Sequence, residues 1–175
     1  MKILILNGSP RANGNTIKLI NAFTKGAEGA GHEVERVDVC KLHIYGCTGC
    51  EYCHSNGHEE CVQKDDMQII YDLMRKTEMI VIASPIYYHG MTGQIKCVID
   101  RFYSVMYKRK IESLKKSALI LCSADPDVYE GSIYLYKEEF DAFMKLEDMG
   151  IFTACYSELE TNKKMEELYR FGESL

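Results

Sequence analysis

Ile3-Leu4-Ile5-Leu6-Asn7-Gly8-Ser9-Pro10-Arg11-Ala12-Asn13-Gly14-Asn15-Thr16 runs from an apolar stretch into a polar, glycine-bearing turn and then into a new periodic segment. Residues 2–7 read as a buried strand, and from about Asn15 to Glu28 the apolar side chains Ile17, Ile20 and Phe23 recur at helical spacing. Between them the loop offers hydroxyls, amides and a guanidinium just before a helix N-terminus, where backbone N–H groups and the helix dipole favour an anion. Ser9, Arg11, Asn13, Gly14, Asn15 and Thr16 are therefore candidates to hold a phosphate. The loop lacks the Gly-Lys-Ser/Thr ending of a nucleoside-triphosphate cradle and the dinucleotide glycine fingerprint. Asn7 and Gly8 stand where a phospho-acceptor domain would carry paired acids. The plainer alternative is a helix capped by Asn15 or Thr16 after a glycine-rich turn.

Outward from this stretch the alternation repeats. Beyond Gly29-Ala30-Gly31, His32 to Val39 alternates Val34, Val37 and Val39 with charged residues, as an edge strand does. Met79 to Ala83, Ala118 to Cys122 and Ile151 to Cys155 read as further strands. Helices are predicted from Asp65-Asp66 through Met74, over Gln94 to Met106, over Ile133 to Met149, and over Asn162 to Phe171. Strands and helices in strict alternation require right-handed crossovers onto a parallel sheet with helices on both faces. Residues 1–175 are expected to form one domain, in which 42–63, long and without periodicity, is inserted after the second strand. Connections of that length tend to be functional.

A net charge of −5 and a pI near 5.6 argue against a nucleic-acid partner, since the dense basic run is confined to Lys108-Arg109-Lys110, read as a solvated helix end. No stretch approaches a membrane span, and no basic leader precedes the first strand, so a cytoplasmic location is expected. In a reducing compartment eight cysteines are not a disulfide framework. Cys40, Cys97, Cys122 and Cys155 lie in apolar surroundings and read as packing residues. Cys47, Cys50, Cys53 and Cys61 cluster, with Gly46, Gly49 and Gly57 permitting tight turns. They could ligate an iron–sulfur centre or, with His54 and His58 nearby, zinc, or stay free thiols.

After the third strand, Pro85-Ile86-Tyr87-Tyr88-His89-Gly90-Met91-Thr92-Gly93 sets aromatic bulk at a carboxyl end, with glycines that let the backbone come close. Such walls suit a flat conjugated ring. The alternative is aromatic cover over the sheet end, with His89 facing solvent.

Taken together, Asn7-Gly8-Ser9-Pro10-Arg11, Gly14-Asn15-Thr16, Ser84-Pro85-Ile86-Tyr87, Gly90, Gly93, Lys96 and Asp100-Arg101 resemble the flavodoxin-like superfamily. The likeness is to its NAD(P)H-dependent FMN reductase and iron–sulfur flavoprotein group, and the Cys-rich segment followed by Lys64-Asp65-Asp66-Met67 belongs to the same pattern. The resemblance covers nearly the whole chain. It implies a three-layer α/β sandwich with a five-stranded parallel sheet in the order 2-1-3-4-5. It also implies FMN with its phosphate on the first loop and its ring against Pro85, Ile86, Tyr87, Tyr88, His89 and Gly90, the other edge meeting Ser123, Ala124 and Asp125. A homodimer or homotetramer would complete the pocket.

The family's iron–sulfur members match Cys47, Cys50, Cys53 and Cys61 at all four positions, which implies a [4Fe–4S] cluster. For Asp100 and Arg101 the resemblance suggests a subunit contact, against a plain surface ion pair. Two activities follow as expectations: electron transfer from NAD(P)H through FMN to a small acceptor such as a flavin, quinone or azo compound, or relay from ferredoxin through the cluster. No catalytic side chain is demanded, since the cofactor carries the chemistry. Tyr88 and His89 are the candidates to assist a proton transfer.

Overall fold

The computed structural model describes residues 1–55, 60–107 and 111–175, so Asn56 to Glu59, with Gly57 and His58, and the run Lys108-Arg109-Lys110 lie outside the described residues. Strands β1 (Lys2–Asn7), β2 (Glu33–Asp38), β3 (Met79–Tyr87), β5 (Lys116–Ser123) and β6 (Glu147–Cys155) form a parallel sheet in the order β2-β1-β3-β5-β6. This is the predicted 2-1-3-4-5 order. The strand count differs by one, because the short β4 (Gly90–Met91) folds back antiparallel on the end of β3. The sequence reads a loop after Ala83, whereas β3 continues through Pro85 to Tyr87.

Alternation within the strands builds the two sides of the molecule. Leu4, Leu6, Ile80, Ile82, Leu119 and Leu121 face one core, under α3 (Met67–Met74), α4 (Gly93–Arg101) and α5 (Tyr103–Met106). Ile3, Ile5, Met79, Val81, Ala118 and Ile120 face the other, under α1 (Asn15–Gly29) and α7 (Lys163–Glu173). With both faces covered, β1, β3 and β5 read as continuous apolar runs. β2, at the edge, keeps Glu33, Glu35 and Arg36 exposed. A one-turn helix, α2 (Tyr52–Ser55), lies within the Cys-rich segment. Where α1 crosses α7, a Cβ on Gly26 would stand 2.0 Å from Tyr169 O, and one on Gly172 2.4 Å from Phe23 O, so the two backbones touch.

The helix read over Ile133 to Met149 is corrected. Helix α6 (Glu130–Tyr136) passes into a wider π-type turn, Lys137–Phe143, and closes where Met144 N–H donates to Glu139 O at 2.9 Å and Lys145 turns left-handed at φ 55°. Strand β6 then begins at Glu147, four residues before the predicted Ile151. Buried Met144 and Leu146 continue the apolar pattern past the true helix end, so periodicity runs on where the backbone does not. Among the described residues no helix is long and apolar enough to cross a membrane.

Candidate functional site

The order of the sheet reverses between β1 and β3, whose crossovers leave in opposite directions, and their carboxyl ends open a crevice there. The first loop fills one side of it. Asn7, buried at the end of β1, accepts the Ser9 N–H on Oδ1 at 3.0 Å and donates from Nδ2 to Asp38 Oδ1 at 3.0 Å. Ser9 O accepts from the Cys40 thiol at 3.4 Å, and Ser9 Oγ accepts the Arg11 N–H at 3.3 Å. Gly8 is gripped from two sides: its N–H donates to Ala83 O in β3 at 2.8 Å, and Thr92 Oγ1, at the start of α4, donates to its carbonyl at 2.9 Å. A Cβ on Gly8 would stand 2.7 Å from Thr92 Oγ1, which leaves no room for a larger residue without movement.

Asp38, at the end of β2, is drawn two ways. Burial pushes its carboxyl up, but hydrogen bonds from Lys41 and Asn7 and the charge of Arg36 outweigh that and hold it below the usual carboxylate range. An ionised Asp38 fixes the Asn7 amide, which in turn fixes Ser9. Asn7, Asp38, Cys40 and Thr92 were not among the sequence candidates. Asn7 carried a signal, being polar at the end of an apolar strand; the other three meet the loop only through the tertiary fold.

Neither Asn15 nor Thr16 caps the helix. The cap position of α1 is Gly14, with extended φ and ψ and no side-chain hydrogen bond. An N-terminus without a side-chain acceptor keeps its donors for a ligand. It opens on a cavity of about 610 Å³ lined by Ser9, Arg11, Asn13, Gly14, Asn15, Thr16, Pro85, Ile86, Tyr87, Ser123 and Ala124, with Cys122 and Tyr156. That volume lies in the usual range for a small-molecule or cofactor site. Cys122, read from the sequence as a packing residue, lies near the end of β5 and borders the cavity, and Tyr156, the residue after β6, was not among the sequence candidates. Burial and the neighbouring Cys155 push the Cys122 thiol up to about 11, so it packs as a neutral group.

Tyr88, His89 and Asp125 are set apart from this cavity. With Ile86, Ser123, Ala124 and Val128 they line a second one of about 380 Å³, which shares Ile86, Ser123 and Ala124 with the first. Gly90 lines neither; it pairs with Tyr87 in the β3–β4 hairpin. The two residues between them, Tyr88 at φ 52° and His89 at φ 63°, are both left-handed, as a two-residue primed turn demands, though Asn-Gly is the usual pair there. Tyr88 is fully exposed. On the fourth-strand side, Ser123 Oγ bonds Asp125 O and shares a hydrogen bond with Tyr129 Oη at 2.5 Å, which pins that loop.

The four clustered cysteines share one small pocket with Arg101, Tyr103 and Ser104. Their donor set, soft thiols on a tight loop, fits a metal centre in kind. Among the described residues, however, no three His, Cys, Asp or Glu side chains converge closely enough to hold a single ion. Arg101 is corrected from a surface residue to a buried one, 1% exposed, paired with Asp65, which is 5% exposed. Burial raises the Asp65 carboxyl, but hydrogen bonds from Arg101 and from the Tyr45 and Met67 N–H groups more than reverse this and hold it low. Asp100 pairs instead with Lys96 on the helix surface.

Sheet order, crevice and uncapped helix together define a flavodoxin-like α/β protein with a cavity at its switch point. The model of the NADPH-dependent FMN reductase family matches residues 1–132. The chain belongs to that family, a family of FMN-dependent oxidoreductases. An iron–sulfur flavoprotein of Archaeoglobus fulgidus is 43% identical over 101 residues, 58% of this chain and 45% of that protein. One of Methanosarcina thermophila is 36% identical over 115 residues, 66% of this chain and 58% of its own. The chain spans about half the length of the curated relatives it matches. Among solved structures, an NAD(P)H:quinone oxidoreductase from Methanothermobacter marburgensis superposes with a TM-score of 0.76 at 13% identity, covering 99% of this chain and 93% of its own, which supports the fold.

Proposed function

We propose that the chain binds FMN in the larger cavity, accepts electrons from NADH or NADPH and passes them to a small acceptor such as a flavin or a quinone. The observation that carries this reading is the uncapped N-terminus of α1 opening, beside Ser9 and Arg11, onto the same cavity that Pro85, Ile86, Tyr87, Ser123 and Ala124 line. Bound FMN would supply hydride acceptance and electron release. The protein's share is position: the first loop takes the phosphate, the β3 end gives the ring an apolar shelf, and Ser123 to Asp125 meets its far edge. The neighbouring cavity, which Tyr88, His89 and Asp125 line, would take the substrate that reacts with the ring, and Tyr88 or His89 would assist a proton transfer there. Exposed Tyr87 and Tyr88 leave the site open, in keeping with a homodimer or homotetramer that closes it; a single domain in the cytoplasm is the setting this reading assumes. The test is to load the purified protein with FMN and follow NADH and NADPH oxidation with flavin and quinone acceptors. Turnover with either nicotinamide is expected, and none with any acceptor would overturn the reading.

A second reading is favoured by the cysteine pocket. Cys47, Cys50, Cys53 and Cys61 line one pocket, and four thiolates are the ligand set that a [4Fe–4S] centre takes. The chain would then relay electrons from ferredoxin to FMN, and the names of the archaeal relatives are consistent with it. Iron and acid-labile sulfide in protein purified without oxygen, lost when Cys47, Cys50, Cys53 and Cys61 are changed to Ser, would support the relay. Their absence from the unaltered protein would sink it.

A further inference from the structure

Arg101 closes the neck of the cysteine segment. Its Nη1 donates to Tyr45 O and to Asp65 Oδ2, both at 2.9 Å, and its Nη2 donates to Asp65 Oδ1 at 3.1 Å. Asp65 Oδ2 in turn accepts the Tyr45 N–H at 3.1 Å, so both peptide groups of the residue two before Cys47 are locked onto one ion pair. The chain leaves toward the cysteines at Tyr45 and is back at Asp65. Three of the guanidinium's five donors are accounted for in this way, and a fourth, Nε–H, is buried with no partner among the described residues. Arg101 lines the pocket that the four cysteines line. A buried cationic donor left unsatisfied is costly, and it is found in native proteins chiefly where something else completes it.

We infer that Arg101 is a positioning residue for an anionic, thiolate-ligated centre in the cysteine pocket, holding the neck of the loop and setting the potential of the centre with its buried charge. This rests on the iron–sulfur reading above. Four thiolates give such a centre net negative charge, and reduction adds one more. A fixed cation therefore favours the reduced form, and net charge and hydrogen bonds at the sulfurs are the recognised levers on cluster potential. Asp65, the partner of Arg101, works in the opposite sense.

That opposition separates an electrostatic role from a merely structural one. Protein purified without oxygen is assayed for iron and acid-labile sulfide, and the cluster potential is titrated by electron paramagnetic resonance in the unaltered chain, Arg101→Gln, Arg101→Lys and Asp65→Asn. The expected result is a lower potential in Arg101→Gln, a higher one in Asp65→Asn, and a value near that of the unaltered chain in Arg101→Lys. Equal or same-direction shifts in Arg101→Gln and Asp65→Asn, or equal loss of iron from all three variants, would overturn the inference while the iron–sulfur reading stood. Unaltered protein without iron or sulfide would overturn both. If Arg101→Gln fails to fold by circular dichroism, Asp65→Asn decides alone: a raised potential supports the inference and an unchanged or lowered one ends it.

Discussion

Tyr88→Asn should make the protein more stable and less active. The left-handed conformation costs an ordinary residue roughly 1–2 kcal/mol, because Cβ crowds the following carbonyl, whereas Asn visits it at little cost. Tyr88 sits there at φ 52° and is fully exposed, so no packing is lost when the ring goes. His89, at φ 63°, is a residue type enriched in this region, and replacing it with Gly would return part of the gain as chain entropy. The single Tyr88 change is the cleaner probe. A gain of about 1 kcal/mol in a chain of this length corresponds to a Tm rise of about 2–4 °C. Thermal unfolding of the apoprotein by circular dichroism measures it, and FMN affinity should be unchanged while kcat/KM for nicotinamide oxidation falls. A Tm that is unchanged or lower would refute the stored strain, and an unchanged kcat/KM would remove Tyr88 from the substrate side of the site.

Gly8→Ala should lower Tm by about 2–12 °C, because overpacking against Thr92 costs about 1–3 kcal/mol, and should weaken FMN binding, read by quenching of flavin fluorescence, as the first loop shifts to make room. Gly26→Ala drives a Cβ into the backbone of Tyr169; the clash, about 3 kcal/mol, exceeds the helix-propensity gain of about 1, so Tm should fall by about 4–8 °C in a differential scanning calorimeter. Asp38 has a folded pKa below its ordinary 3.8, so its stabilisation is complete above that value and is lost as pH falls through the lower folded value. Asp38→Asn should therefore flatten the dependence of Tm on pH below about pH 4 and lower FMN affinity at neutral pH, where the bond that anchors Asn7 loses its charge; identical acid limbs in the two proteins would contradict it.

Much of the architecture was legible because it depends on local pattern. A strand buried on both faces must be apolar throughout, as in β1, β3 and β5, and a polar, glycine-bearing turn at the end of the first strand can lead only toward the crevice. What stayed hidden depends on distant residues or on uncommon backbone. Arg101 reads as a surface charge until Asp65, 36 residues earlier, is brought against it. The β3–β4 hairpin is masked because Tyr-His carries none of the turn signal of Asn-Gly, and the end of the α6 helix is masked because a left-handed Lys145 leaves no trace in the pattern. Cys122 and Tyr156 stand at the ends of β5 and β6, positions that the apolar strand pattern already marks.

The contact between α1 and α7 also bears on the order in which the chain matures during synthesis. Phe23 and Ala27 of α1 are made early, yet the helix that covers them spans residues 163–173, so their apolar face waits on the ribosome until nearly all of this stretch has emerged. Since the N-terminus of α1 borders the larger cavity, a nascent chain halted before residue 163 should have the first loop in sequence but not in place. Filling of the cavity would then follow the emergence of α7 rather than nucleate the fold.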